Sequence, residues 1–265
     1  MSNRTKKVIE LSKEEYHGPN DRDFIRAYVG CLSGTESAEL LLYACIHDFD
    51  LRWLLLRKIE TDMEIEVNST HRKLIKDLID LSLSQKYREA NSIAYCLSIL
   101  LEHVKSAEEN LILNHFLDSE RIGFRRRAYK FLSYSYDNKY EAKLLKNWAD
   151  YKDKEILKIF IYNFPKDFLL ENRKSLLKEI SEGWLAAKLY IQIAPNDIDI
   201  VDELIPFGIA TYSYCLAKLG EKIPKRNKNL YKMGDENDGL TLWSLGRLQE
   251  WDLITELENE YRKNM

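Results

Sequence analysis

Glycine and proline are scarce in this chain, ten and five respectively among 265 residues. So few breakers leave little room for long loops or serial tight hairpins. Gly34, Pro165, Pro195, Pro206 and Pro224 all fall between or at the ends of apolar periodic segments. The glycine patterns that cradle phosphates or expose a nucleophile, GxxxxGK[ST], GxGxxG and GxSxG, do not occur. His17, His47, His71, His103 and His115 form no HExxH and no paired metal spacing. Cys45-x-His47-Asp48 comes closest to a ligand cluster, but three such neighbours at a helix end point in different directions. No metal and no cofactor is expected. Cys31, Cys45, Cys96 and Cys215 lie far apart within apolar stretches. That suits small buried side chains in a reduced, intracellular setting rather than a disulfide framework. No apolar run approaches the ~18 residues of a membrane span, and Met1–Glu10 is polar and basic, without the apolar core of a secretory signal. The chain therefore reads as soluble and cytoplasmic, with no membrane partner.

What the chain does have is periodic apolar sequence. Hydrophobic residues make up 45% and charged residues 31%, a globular balance. The formal net charge of −3 supplies no global drive toward phosphate backbones. From Leu40 to Gly220, amphipathic segments recur in pairs at a step of roughly 30 to 35 residues, the length range of helical repeats. The second segment of each pair starts near Asp50, Gln85, Ser119, Asp153, Gly183 and Pro206. Leu111, Ile112, Leu113, Phe116 and Leu117, for example, pair with Phe124, Ala128, Phe131 and Leu132. No alternating run of strand length appears apart from the short Ile198-Asp199-Ile200, which opens a helical pattern. The expected class is all-α, built as antiparallel helix pairs.

The residues around Asp118–Leu132 carry a recognisable grammar: Asp118 in an inter-helix turn, then Phe124, Arg125, Ala128 and Leu132 in order. Asp48-Phe49-Asp50-Leu51-Arg52 echoes the turn and the arginine, and Leu245-Gly246-Arg247-Leu248 echoes a Leu-Gly-x-Leu ending. This resembles the HEAT-repeat superfamily, including the bacterial HEAT-like arrays. Leu157-Lys158 and Leu185-Ala186 depart from the pattern by lacking the arginine. The resemblance implies a right-handed α-solenoid. The expected organisation is a polar leader and short N-terminal helix (1–35), a HEAT-like array (36–220), an irregular loop (221–239) and a C-terminal capping helix pair (240–265).

Two basic groups stand out. Arg121, Arg125, Arg126, Arg127 and Lys130 lie within one helix and spread around it, because 121 and 125 share one face and 126 and 130 another. They make either a patch for a phosphate or an acidic partner, or a structural set in which Arg125 pairs with turn residues such as Asp118 while the others are solvated. Lys222, Lys225, Arg226 and Lys228, flanked by Tyr231, lie in the expected loop, as a recognition element or a solvated linker. Tyr134 and Tyr136, at the end of a second helix, suit a protein-contacting surface. The five tryptophans (Trp53, Trp148, Trp184, Trp243, Trp251) sit at helical spacing with Leu and Ile, which predicts core packing.

The function expected on this basis is a non-enzymatic scaffold, adaptor or inhibitor that binds a protein partner through its concave helical face. Arg121, Arg125, Arg126, Arg127, Lys130, Tyr134, Lys225, Arg226 and Lys228 are its candidate contacts. The resemblance also implies an alternative. A nucleic-acid-binding or glycosylase-like member would use the central arginines, with Trp148 or Trp184 beside Asp150 or Glu182 lining a base-reading cleft.

Overall fold

The computed structural model describes residues 1–14, 21–47, 49–61, 69–84, 87–104, 106–234 and 236–263. The expected turn at His17–Asn20, Asp48, and the start at Gln85 lie outside them. The described residues are helical and contain no strand. No described helix is long and apolar enough to cross a membrane.

The chain divides into two compact units, Met1–Ala149 and Asp150–Met265. The first holds α1 (Asn3–Lys13), α2 (Asp21–Gly30), α3 (Gly34–His47), α4 (Phe49–Thr61), α5 (Ser69–Ser84), α6 (Tyr87–Leu101), α7 (Ser106–Leu117) and α8 (Ile122–Leu132). α9 (Glu141–Tyr151) spans the boundary in sequence. The second holds α10 (Glu155–Asn163), α11 (Lys166–Glu179), α12 (Gly183–Ile193), α13 (Ile209–Leu219), α14 (Asp238–Arg247) and α15 (Trp251–Lys263). The polar leader starts as a true helix because Ser2 caps it, its hydroxyl accepting from the Thr5 amide at 3.2 Å.

In the first unit the helices pack in two rows. α1, α3, α5 and α7 touch in succession, as do α2, α4, α6 and α8, while α3·α4, α5·α6 and α7·α8 join the rows. Each junction buries apolar side chains from both: Phe116 of α7 and Phe124 of α8 meet edge to face at 5.9 Å between ring centroids. In the second unit α10, α12, α13 and α14 form one such succession. The Phe160, Phe164 and Phe168 rings cluster at the α10–α11 corner, with centroids 4.5–5.4 Å apart.

Two expectations about the second unit change. Ile198–Phe207 is a 3-10 segment rather than an α-helix. Asp197 caps it from the side chain, accepting from the Asp199 amide, its β-branched residues crowd an α-turn, and Pro206 has no amide to donate. The stretch 221–239 is not wholly irregular either. Lys225–Leu230 forms a 3-10 turn whose Asn227 side chain is buried and donates to Asp202 Oδ1 and the Tyr212 hydroxyl, both at 2.8 Å.

His115 of α7 is packed against Phe124 and hydrogen-bonded to Ser82 Oγ at 2.9 Å. Burial holds its imidazole below the ordinary value of 6.5, against the weaker opposing pull of Asp118 and Asp80. Between the depressed folded value and the ordinary unfolded one, the unfolded chain binds more protons. This contribution to stability is therefore complete above pH of about 6.5 and declines as pH falls below it. Urea midpoints measured at pH 7.5 and 5.5 are expected to differ less in His115→Asn than in the unaltered chain.

Candidate functional site

The five-cation helix α8 does not present five free charges. Its third and fourth residues, Phe124 and Arg125, are both buried. The Arg125 guanidinium turns back into the α7–α8 connection, where Nη1 donates to the carbonyls of Ser119 at 2.9 Å and Glu120 at 2.8 Å. Asp118, the expected partner, instead pairs with Lys143 at 2.5 Å. These contacts of Arg125 are with turn backbone rather than a turn carboxylate. In α4, Leu51 and Arg52 occupy the same third and fourth positions and are also buried. The arginine of the sequence grammar is in both cases an interior residue.

The remaining cations of α8 divide. Arg121 precedes the helix and lies over the Phe124 ring, 5.6 Å from its centroid. Arg126 and Lys130 are exposed. Arg127 is half-buried, its Nη1 donating to Ser98 Oγ at 3.3 Å and its guanidinium 5.3 Å from the Tyr95 ring centroid. Its Nε is buried without a hydrogen bond, and desolvation pulls its pKa down. Gly123 brings α8 close to α6, since a Cβ there would lie 2.9 Å from Asn91 Oδ1.

Arg127, Lys130 and Tyr134 share a groove of about 820 Å³ with Glu60, Glu102, His103 and Glu109. Tyr134 stands at its edge, 83% exposed. Arg121, Arg125 and Arg126 do not line it. The groove therefore holds both signs of charge around a floor that includes Ile99, Leu101 and Phe131.

The basic group after α13 is also mostly engaged. Arg226 pairs with Asp199 at 2.5 Å and Asp202 at 2.9 Å, and Lys228 with Glu250 at 2.5 Å. Tyr231 is buried, its hydroxyl 2.9 Å from Ser213 Oγ. Lys225 is exposed. These residues fasten the segment to its neighbours across 22 to 27 positions of sequence, a link that no local pattern reveals.

Sequence spacing misplaced the tryptophans. Only Trp148 is buried; Trp53, Trp184 and Trp243 are 51%, 48% and 45% exposed, and Trp251 more so. Helical spacing with leucine holds for the edge of an apolar stripe as well as for its centre, so it did not separate the two. Three of these rings carry a cation on one face, and together with tyrosines they form continuous sets. On α4, α6 and α8, Arg52 lies 5.4 Å from the Trp53 ring, Trp53 is 6.1 Å from Tyr95, and Arg127 covers Tyr95. In the second unit, Lys158 lies 5.2 Å from Trp184 and Lys188 lies 5.0 Å from Tyr162. Lys218 sits 5.5 Å from Tyr214 and 5.6 Å from Trp243, with those two rings 5.9 Å apart. Sequence offers part of this signal as aromatic and Lys residues four apart on one helix, at 158/162, 184/188 and 214/218; 214/218 meet within α13, while Lys158 and Lys188 cross to the ring on the neighbouring helix.

The cysteines divide as well. Cys96 and Cys215 are buried, and burial pushes the Cys215 thiol up to about 12, which makes it inert. Cys31 is exposed, contrary to the expectation of a buried small hydrophobe, because it follows the end of α2 rather than lying inside it. Among the described residues no three His, Cys, Asp or Glu side chains converge as a metal site would require.

These roles separate by stability. Replacing Arg125 with Met leaves two turn carbonyls without these charged donors and is expected to cost about 2–3 kcal/mol in urea unfolding. Lys130→Ala, on the exposed side of the same helix, is expected to cost less than about 0.5 kcal/mol. Asn227→Leu strips a buried donor from Asp202 and Tyr212 and should lower stability by about 1–3 kcal/mol.

Comparison with protein-family models, curated proteins and solved structures found no match to this chain, so its function rests on the chemistry of these surfaces.

Proposed function

We propose that the chain is a non-enzymatic, HEAT-like α-solenoid that binds a protein partner along the helix rows carrying its cation-capped aromatics. The observation that carries this reading is the repetition of one device, a half-exposed aromatic ring beside an Arg or Lys, on α4–α6–α8 and again on α10–α12–α13–α14. Trp, Tyr and Arg are the side chains that dominate protein interfaces, because they bury much area while ordering few torsions. Arg52 is buried beside its ring, but the exposed Lys158 and Lys218 can leave theirs at a cost of only about 0.5–1 kcal/mol. The groove at Arg127, Lys130 and Tyr134 supports the same reading. Its mixture of Glu60, Glu102 and Glu109 with two cations suits a protein surface bearing both signs.

A phosphodiester backbone fits that groove poorly, since three carboxylates face it. The glycosylase-like arrangement is also unfavoured: Trp148 is buried, and no carboxylate lines the groove around Trp184 among the described residues. Partner recognition would therefore proceed by shape and by Tyr, Trp and Arg anchors, with no cofactor.

Affinity capture from the native cell, read by mass spectrometry, tests this. The unaltered chain is expected to retain a partner that Tyr134→Ala with Lys130→Glu, or Trp184→Ala, loses at least tenfold. Tight binding to DNA or RNA at low salt, falling steeply as salt rises, would count against the proposal.

A further inference from the structure

We infer that the groove between α12 and its neighbours in the second unit takes an acidic amphipathic segment of a partner protein. This deepens the protein-binding reading and rests on it. The groove encloses about 530 Å³, within the range that accepts a few side chains. Its apolar floor comes from Ala187, Ile191, Phe207, Ala210 and Leu240, and its walls from Tyr162, Trp184 and Tyr214. Small residues keep the floor deep. Gly183 sits so close to α13 that a Cβ would lie 2.4 Å from Thr211 Oγ1, so the Thr211 side chain packs directly on the start of α12.

The charge at this site has one sign. Lys188 lines the groove, Lys158 and Lys218 lie over the rings of its Trp184 and Tyr214, and no carboxylate lines it among the described residues. On α12 and α13 the aromatic and the lysine stand four residues apart, about 6 Å along the helix. A segment laying aliphatic or aromatic side chains on the floor would place flanking carboxylates against these ammonium groups. That is the helix-in-groove mode of recognition with acidic flanks.

The same lysines and rings also suit single-stranded nucleic acid, and two physical points favour the peptide. A base stacks on the lysine-covered face of Trp184 or Tyr162 only after Lys158 or Lys188 has moved, at a modest cost. A carboxylate reaches the same ammonium group while it stays in place. The chain also carries a net charge of −3, and α15 adds Asp252, Glu256, Glu258 and Glu260 to this unit. With both screened over about 8 Å, a nucleic acid extends its row of phosphodiester charges beyond the lysines onto that acidic surface, whereas a peptide confines two or three carboxylates to them.

Selection of a random 16-residue peptide library on the full-length chain tests the inference, followed by titration of the selected synthetic peptides by tryptophan fluorescence. The expected peptides carry Asp or Glu flanking Leu, Ile, Phe or Trp at helical spacing. Their affinity should fall at least tenfold for Lys188→Glu and for Lys158→Glu. Lys188→Gln should give an intermediate loss, and circular dichroism melting should show all variants folded. Raising salt from 0.05 to 0.5 M should weaken binding several-fold. Selected peptides without acidic residues, or acidic peptides indifferent to both lysine reversals, overturn the inference. So does an oligo(dT) 20-mer that binds more tightly and quenches Trp184. If peptides bind but only Tyr134→Ala with Lys130→Glu releases them, this groove is refuted while protein binding stands. If no peptide is enriched and native-cell capture retains no partner, both fall.

Discussion

In the first unit each helix pair is covered by the pairs beside it. α7 and α8 illustrate the constraint: Phe116 and Phe124 close the space between them, yet α7 also needs α5 and α8 also needs α6 as cover. Ser82 of α5 reaches His115 of α7, and Ser98 of α6 reaches Arg127 of α8, so even the polar contacts run from one pair to the next. Each junction is made of near neighbours in sequence, which keeps the order of assembly local. The other faces of the rows are left over by the same geometry, and on them the chain carries aromatics shielded by cations.

Buried arginine is the second part of this arrangement. Arg121 makes no side-chain cap at the start of α8, and Arg125 does a different job, bringing donors to the carbonyls of Ser119 and Glu120 in the preceding turn. A guanidinium suits this place because it keeps its charge and can reach two carbonyls from one nitrogen. The cation that the sequence already singled out for a turn contact is the one committed to folding, through carbonyls rather than a carboxylate. On α8 this leaves Arg126 and Lys130 exposed and Arg127 half-buried, with Tyr134 just beyond the helix.

The helical class and most helix pairs were legible because Leu, Ile and Phe recur with a period close to 3.6, and because the few breakers fall between segments. The start at Gly183 was read directly, and that near Asp50 within one residue of α4. Which side of a stripe an aromatic occupies was not legible. Tyr190 and Tyr212 are fully buried, with hydroxyls satisfied by Glu203 and Asn227, while Trp184 and Trp243 lie half outside. A tyrosine goes inside when a distant polar group meets its hydroxyl, and that partner lies 13 or 15 residues away. The roles of Arg226 and Lys228 were hidden for the same reason. A run of cations in a glycine-bearing stretch looks like a solvated linker until Asp199, Asp202 and Glu250 are brought alongside it.

The clasp at Arg226, Asn227 and Lys228 has a mechanical consequence. A stretch of nineteen or so residues without α-helix normally behaves as a hinge between the elements it joins. Here it is tied to the 3-10 segment through Asp199 and Asp202, to α13 through Tyr212, and to the start of α15 through Glu250. If the segment stays on α13, moving α15 away breaks the Lys228–Glu250 pair; if it travels with α15, the Asn227 contacts and both Arg226 pairs break instead. The place where the period fails is thereby a brace, since either motion costs a tie that a free linker would not have.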